Sequence, residues 1–400
     1  MTIYSFAFEN FFSFEAKTEV SFITDKRTNL NEKGFEPESS DERLNKVLAV
    51  IGANGAGKTN LIKPLAYMLW FITDSFFCAE ADDNRHFIRP FMFKEKGIVD
   101  FTLDFGVGKD RYRYRLAKTP TKVYGEMLEK KTSRLWSKLF VRTWDNESGE
   151  YKIIRRSFGN RQLPLKDVGD NVSLISLAAQ YKSKVATVIC DELRKRTTNT
   201  TMFGRNVFLG AADVSDATEF YLKNKAVKED MVRFLREQDF GITEMELEEY
   251  ERVQEDGSKS KTVIPWTVHK RGDQSVKLPL MLESSGTQSA YHLLSLILPL
   301  LKTGGIMIYD ELEGDLHPHM IEPILQLFFS PRTNPHNAQI IFTTHSIEVL
   351  NYLQKNQAIL VEKNDSASEA WKLSDMDGVR SDDNFYAKYM SGAYGAVPRM

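Results

Sequence analysis

The run Gly52-Ala53-Asn54-Gly55-Ala56-Gly57-Lys58-Thr59 fits the pattern G-x-x-x-x-G-K-[ST] at every fixed position. Its residue types are those that hold a polyphosphate. Glycines let successive backbone N–H groups turn inward around an anion, and a helix opening behind the loop adds its positive N-terminal end. The Lys58 ammonium can reach terminal phosphate oxygens, and the Thr59 hydroxyl can ligate a magnesium ion. Gly52, Asn54, Gly55, Ala56, Gly57, Lys58, Thr59 and Asn60 are the candidate phosphate-cradling residues.

Two further runs supply groups that such a loop lacks. Gly305-Ile306-Met307-Ile308-Tyr309-Asp310-Glu311 is a short apolar stretch ending in two acids, the Walker B pattern. A buried strand there would bring Asp310 to a Mg²⁺ ion and leave Glu311 to orient or deprotonate an attacking water. Thr343-Thr344-His345-Ser346 follows the apolar run Gln339–Phe342. His345 at that strand end can contact a γ-phosphate or hold the water. Lys58, Glu311 and His345 are the candidate catalytic residues, Thr59 and Asp310 the candidate metal ligands, and ATP with Mg²⁺ the implied cofactors.

The elements needed to position these groups are legible. Val47–Ile51, Gly305–Tyr309 and Gln339–Thr343 are short apolar runs bounded by turns, as expected of parallel strands covered on both faces. Leu61, Leu65, Met68, Leu69 and Ile72 recur at helical spacing behind the loop. Val172–Arg196, Ala217–Gln238, Ser289–Leu301 and Met320–Phe329 also read as helices. Ile3–Phe8 and Glu19–Ile23 read as strands, Thr24–Arg43 as a loop, and Val99–Phe105, Tyr112–Leu116 and Met127–Glu129 as strands, with a hairpin at Gly106–Asp110. Ile242–Val253 and Val263–Lys270 read as a strand pair around a polar turn, Gln254–Lys261. The fold class that follows is α/β with a parallel core sheet.

Composition narrows the class of protein further. A 42% apolar share allows a packed core, and 53 Lys+Arg against 55 Asp+Glu leaves no global bias toward nucleic acid. Cys78 and Cys190 are isolated, so buried reduced thiols are expected. Glu9, Glu15, Lys17 and Glu19 interrupt the first 22 residues, which excludes a leader pattern. Leu293–Leu301 is far short of a span of ~20 residues. A cytoplasmic location without a membrane is expected.

These motifs, in this order, resemble the ABC superfamily, in particular its SMC/OLD-like branch. Asp310-Glu311-Leu312-Glu313-Gly314-Asp315-Leu316-His317-Pro318 resembles the D-E-x-x-x-x-L-H-P run of prokaryotic AAA15/AAA21-type ATPases, of the RloA/AbiL-like kind. Glu283-Ser284-Ser285-Gly286-Thr287 is similar to their E-S-x-G-T signature. Asn10-Phe11-Phe12-Ser13-Phe14 and the terminal Tyr389-Met390-Ser391-Gly392-Ala393-Tyr394-Gly395-Ala396-Val397-Pro398 resemble their ends.

The resemblance implies a P-loop, ABC-type ATPase head with an N-terminal antiparallel β-subdomain. Residues 1–159 and 281–400 would form the two halves of the head, and 160–280 a helical and β insertion arm. It implies a homodimer, or an assembly of head-to-tail dimers, in which Ser285 and Gly286 of one copy cap the γ-phosphate held by the other. The region Gly314–His317 would lie at the seam. It also implies a sensor or regulator of a separate effector, a nuclease in many cases, in anti-phage defence. The alternative is an ATP-dependent DNA-binding or repair protein with a RecF/SMC-type head. No glutamine stands in Ile88–Phe93, where the family's Q-loop residue would be sought. Tyr4, Phe11 and Phe12 are the candidates for stacking on adenine.

Residues 109–166 hold 16 lysines and arginines against six acids, with Tyr112, Tyr114, Trp136, Trp144 and Tyr151 interleaved. That mixture suits phosphate contacts plus base stacking on a nucleic acid. The strict alternation Arg111-Tyr112-Arg113-Tyr114-Arg115 equally suits amphipathic strands with solvated outer faces.

Overall fold

Val47–Ile51 (β6) is buried along its whole length, as a central parallel strand must be when helices cover both its faces. The computed structural model describes all residues except 26–30, 79–86, 95–96, 161, 166–167, 208–209, 239, 254–258, 315 and 398–400. Asp315, Pro398, Arg161, Lys166 and most of the turn expected at Gln254–Lys261 therefore lie outside the described residues.

Around β6 the strand order is Arg196–Thr198 (β12), Ile306–Tyr309 (β18), Gln339–Thr344 (β19), β6 and Ala358–Asn364 (β20), all parallel. Ala367–Lys372 (β21) closes the edge antiparallel to β20. The three expected core strands are present. β12 is a correction: the helix expected over Val172–Arg196 is two helices, Leu174–Gln180 (α2) and Lys184–Leu193 (α3). Lys182 between them takes φ 56°, which no helix continues. Polar Arg196-Thr197-Thr198 then pairs as an edge strand, which periodicity does not reveal.

A second, seven-stranded antiparallel sheet runs β11-β10-β9-β8-β7-β1-β2. Its strands are Thr2–Glu9 (β1), Thr18–Ser21 (β2), Val99–Val107 (β7), Asp110–Lys118 (β8), Val123–Thr132 (β9), Leu135–Asp145 (β10) and Glu150–Arg155 (β11). The expected hairpin joins β7 to β8, with Val107 opposite Asp110 and Gly108 at φ 57°. The loop expected at Thr24–Arg43 carries short pairs instead, Ile23–Thr24 (β3), Gly34–Phe35 (β4) and Arg43–Asn45 (β5). Thr200–Thr201 (β13) and Gly204–Arg205 (β14) form a tight hairpin directly after β12. Glu244–Val253 (β15), Lys259–Arg271 (β16) and Gln274–Pro279 (β17) make a separate sheet.

The helix after the loop, Lys58–Asp74 (α1), lies between the two sheets. Together with the short helical turn that extends it to Cys78 it is long and apolar enough to cross a membrane by composition alone, but most of it is buried in the protein. Alternation along the parallel strands divides the core. Leu48, Val50, Ile306, Ile308 and Ile341 join α1, α2, α3 and the antiparallel sheet. Val47, Ala49, Ile51, Met307, Ile340 and Phe342 face the other way. There they meet Ala211–Lys223 (α4), Lys225–Glu237 (α5), Ser285–Thr303 (α6), Ile321–Phe329 (α7) and Phe385–Met390 (α8). The helix expected at Ala217–Gln238 is thus two helices. Of residues 160–280, α2 and α3 pack on α1, α4 and α5 pack on α6, and β15–β17 form their own sheet. Gln339 ties the two sheets together: its Oε1 accepts from Ile3 N at 2.7 Å and its Nε2 donates to Ile3 O at 3.0 Å. Both cysteines are buried and in no disulfide, and burial pushes the Cys190 thiol up to about 12.

Several members of the basic stretch are paired within the protein. Arg111 Nε and Nη2 meet the two Asp104 oxygens at 2.7 and 3.0 Å, and its Nη1 meets Glu42. Arg113 reaches Asp104 and lies over Trp136. Lys118 is buried against Tyr67 and Phe71, donates to the Tyr67 hydroxyl, and is pushed down to about 7 by burial. This favours the strand-face reading. Arg142 and Glu126 are both fully buried, 3.4 Å apart. Arg142 also donates to Val172 O and Gly169 O, and Glu126 accepts from Tyr114, Ser173 and Leu174. Removing one member leaves the other charge buried without its counter-ion, which costs about 3–5 kcal/mol. Arg142→Met is therefore expected to lower the urea unfolding midpoint sharply. An unchanged midpoint would show that the pair is not structural.

Candidate functional site

Parallel strands end on one edge of their sheet, and that edge is where ligands bind in open α/β folds. Here β6 ends at Ile51, β18 at Tyr309, β19 at Thr344, β20 at Asn364 and β12 at Thr198. A cavity of about 520 Å³ opens there, lined by Asn54, Gly55, Gly57, Lys58, Thr59 and Asn60 from the loop and first turn of α1. Asp310, Glu311, Thr343, His345 and Lys363 line the rest.

The loop is held by close packing. Gly57 caps α1 at φ 113°, a conformation L side chains rarely adopt. A Cβ there would stand 2.4 Å from Ser368 Oγ and 2.9 Å from Ser13 Oγ. Ser368 donates to Ala56 O at 2.6 Å, and Asn60 Nδ2 donates to Ser13 Oγ at 3.0 Å. Gly52 is pressed on β20, where a Cβ would meet Val361 O at 2.2 Å. Gly52 and Ala56 thus support the cradle from behind, while Asn54 and Gly55 are exposed at its mouth.

The charged groups interlock. Lys58 Nζ donates to Gly52 O at 2.9 Å and Ala53 O at 3.2 Å, and lies 3.2 Å from His345 Nδ1. Burial holds its ammonium below the usual lysine range, against the opposing pull of Glu313, Asp310 and Glu311. Thr59 Oγ1 lies 3.0 and 2.9 Å from the two Asp310 oxygens. Thr343 Oγ1 donates to Asp310 Oδ1 at 2.6 Å and accepts from Glu311 N at 2.8 Å. Glu311 takes φ 55°, and its Oε1 is 3.5 Å from His345 Nε2. The backbone N–H of His345 donates to Glu313.

Lys58, Thr59, Asp310, Glu311 and His345 therefore meet on one cavity, whereas Ser285 and Gly286 do not. They open α6, where Ser284 is the N-cap and accepts from Thr287 N at 3.1 Å. Gly286 lines a different cleft with Ser284, Leu316 and His317. Tyr4 and Phe11 are fully buried core residues, which removes them as stacking candidates. Phe12 is partly exposed, with Lys63 Nζ 4.2 Å above its ring. Lys363, Asn199 and Arg205 escaped the sequence reading. Asn199 pairs with the backbone of Asp310, and Arg205 with Glu311. Asn199 follows β12, Arg205 ends β14 and Lys363 lies near the end of β20, strands without a sequence pattern that points to this site.

A family model described as "AAA domain, putative AbiEii toxin, Type IV TA system" matches residues 47–351. No curated protein matches the chain. Among solved structures it is similar to the SmcHead bound to the C-winged helix domain of ScpA. Identity is 13% and the TM-score 0.47, covering 93% of this chain and 97% of that one. It is also similar to the Smc head domain with an extended coiled coil, bound to the C-terminal domain of ScpA derived from Pyrococcus furiosus. There identity is 10% and the TM-score 0.40, covering 94% and 97%.

The donor set suits a nucleotide with a hard cation. One hydroxyl and one carboxylate, Thr59 and Asp310, offer oxygen ligands only, and Mg²⁺ takes few protein ligands, completing its shell with phosphate and water. The Gly57 cradle suits an anion approached by backbone N–H groups. Gly57→Ala would press a Cβ on Ser368 and Ser13 behind the loop and add backbone strain of about 1–3 kcal/mol, distorting the cradle. Binding of a fluorescent ATP analogue is expected to weaken on the order of 10- to 100-fold. Unaltered binding would show that the cradle does not hold the nucleotide.

Proposed function

The chain belongs to the AAA domain family that its residues 47–351 match, and on that premise we propose that it is a Mg²⁺-dependent ATPase acting between two copies of itself. The single observation that carries the reading is the convergence of Lys58, Thr59, Asp310, Glu311 and His345 on one cavity at the strand ends. Lys58 binds the β- and γ-phosphates, and the loop N–H groups orient them. Thr59 and Asp310 would hold Mg²⁺, which would supply positive charge against the phosphates. Glu311 orients the attacking water and takes its proton, and His345, beside both Lys58 and Glu311, contacts the γ-phosphate.

Ser285 and Gly286 sit at the N-terminus of a 19-residue helix, away from the cavity that Lys58 lines. A helix end of this kind favours an anion. A second copy, placed head to tail, would bring it over the γ-phosphate, so that each site draws on both subunits. Bonds from both subunits to one γ-phosphate vanish on hydrolysis, which makes the assembly a switch. The family description refers to a toxin of a type IV toxin–antitoxin system. The role beside a separate effector in anti-phage defence, gated by nucleotide state, rests instead on the resemblance of Asp310-Glu311, Leu316-His317-Pro318 and Glu283-Ser284-Ser285-Gly286-Thr287 to the motifs of RloA/AbiL-like ATPases.

Three measurements test this reading. Lys58→Ala is expected to weaken ATP binding on the order of 100-fold. Glu311→Gln is expected to keep binding and lose on the order of 100-fold in phosphate release. Wild-type turnover in Glu311→Gln would end its catalytic assignment. Mixing Lys58→Ala with Ser285→Arg subunits concentrates both lesions in one site of the mixed dimer and leaves the other intact. Partial activity should return on mixing, and none would return if each subunit completed its own site.

A further inference from the structure

The β13–β14 hairpin follows the edge strand β12 without a break and reaches both Walker acids. At its root, Asn199 Oδ1 accepts from Asp310 N at 2.7 Å while its Nδ2 donates to Asp310 O at 2.9 Å. This reciprocal pair fixes where the hairpin leaves the sheet. Met202 and Phe203 at its turn line a cavity of about 520 Å³ with Tyr67 and Trp70 of α1, so the hairpin is seated on the helix that follows the phosphate loop. At its end, Arg205 Nη1 lies 2.9 Å from Glu311 Oε2. The guanidinium passes so close to Gly314 that a Cβ there would stand 2.6 Å from Nη1. A slot without a side chain therefore accommodates it.

We propose that Arg205 is a positioning residue for Glu311. This rests on the reading of Glu311 as the group that orients water. Glu311 has a flexible side chain with several rotamers, and in the one it adopts Oε1 lies beside His345 while Oε2 faces Arg205. Arg205 engages Oε2 and leaves Oε1 on the His345 side, 3.5 Å from Nε2. The charge-assisted bond selects that orientation before nucleotide arrives. Both side chains are partly exposed, at 27% and 37%, so the ion pair matters as geometry more than as stability.

The test uses the full chain with Mg²⁺ and ATP, measuring nucleotide Kd, steady-state phosphate release and thermal unfolding. Arg205→Ala is expected to lower kcat on the order of 10-fold and to leave Kd within about twofold. Arg205→Lys should recover part of the loss. On a Glu311→Gln background, Arg205→Ala should cost nothing further, because the two residues act as one unit. Unchanged or raised kcat, a parallel loss of affinity, or effects that multiply with Glu311→Gln overturn the proposal. Wild-type turnover in Glu311→Gln overturns the reading of Glu311 and this proposal with it, a result distinct from an inert Arg205. Should Arg205→Ala not fold, Gly314→Ala displaces the guanidinium with its charge intact and carries the same expected loss.

Discussion

Parallel pairing aligns strand ends, and every polar contact in this site depends on that alignment. Ile308 pairs with Ile341 and Tyr309 with Phe342, while Thr343 pairs with Val50 and Thr344 with Ile51. The register puts Thr343 beside Asp310, where one hydroxyl can serve both acids. It also puts the chain's exit from β6 beside both, so Lys58 and Thr59 arrive at His345 and Asp310. A shift by one residue would turn Asp310 toward the opposite face of the sheet. The site therefore inherits its geometry from the strand register, with apolar side chains packed on both faces of the sheet.

The two sheets serve this edge differently. The parallel sheet delivers the chemistry. The antiparallel sheet braces it through Gln339 at one end and through Ser13, which meets Asn60 and Ser368, at the other. Gly57 sits between those two serines because no larger residue would fit. The C-terminal run folds back on β20 as well. Tyr389 donates to Ala396 O at 2.7 Å, and Ala396 N reaches Glu362, the neighbour of Lys363. Both ends of the chain thus buttress the phosphate loop, which explains why motif-like residues occur so far from it in sequence.

Charge follows the same division of labour. Within the cavity the lysine is held by carbonyls and desolvated, so its ammonium is presented to an anion rather than spent on a carboxylate. Away from it, Arg111, Arg113, Arg115, Lys130 and Arg142 of the antiparallel sheet pair with Asp104, Glu129, Asp110 and Glu126. A basic stretch in sequence thus becomes a braced sheet.

The sequence alone determined the phosphate loop, the apolar strands that enter and flank it, and the two acids at a strand end. In those cases spacing along the chain is itself the physical constraint. A loop of eight residues, a strand of five and a helix behind them interact with their neighbours in sequence. It could not determine β12, whose Arg196-Thr197-Thr198 has no apolar period, or the break at Lys182. Both are decided by what the backbone packs against. Nor could it find Asn199, Arg205 and Lys363. Asn199 reaches Asp310 across 111 residues of chain, Arg205 reaches Glu311 and Lys363 reaches the phosphate loop from similarly remote positions, and only the closing of the sheet makes them neighbours. The separation of Ser285 from Lys58 belongs to the same class, because two ends of different helices acquire a distance only when the core between them is packed.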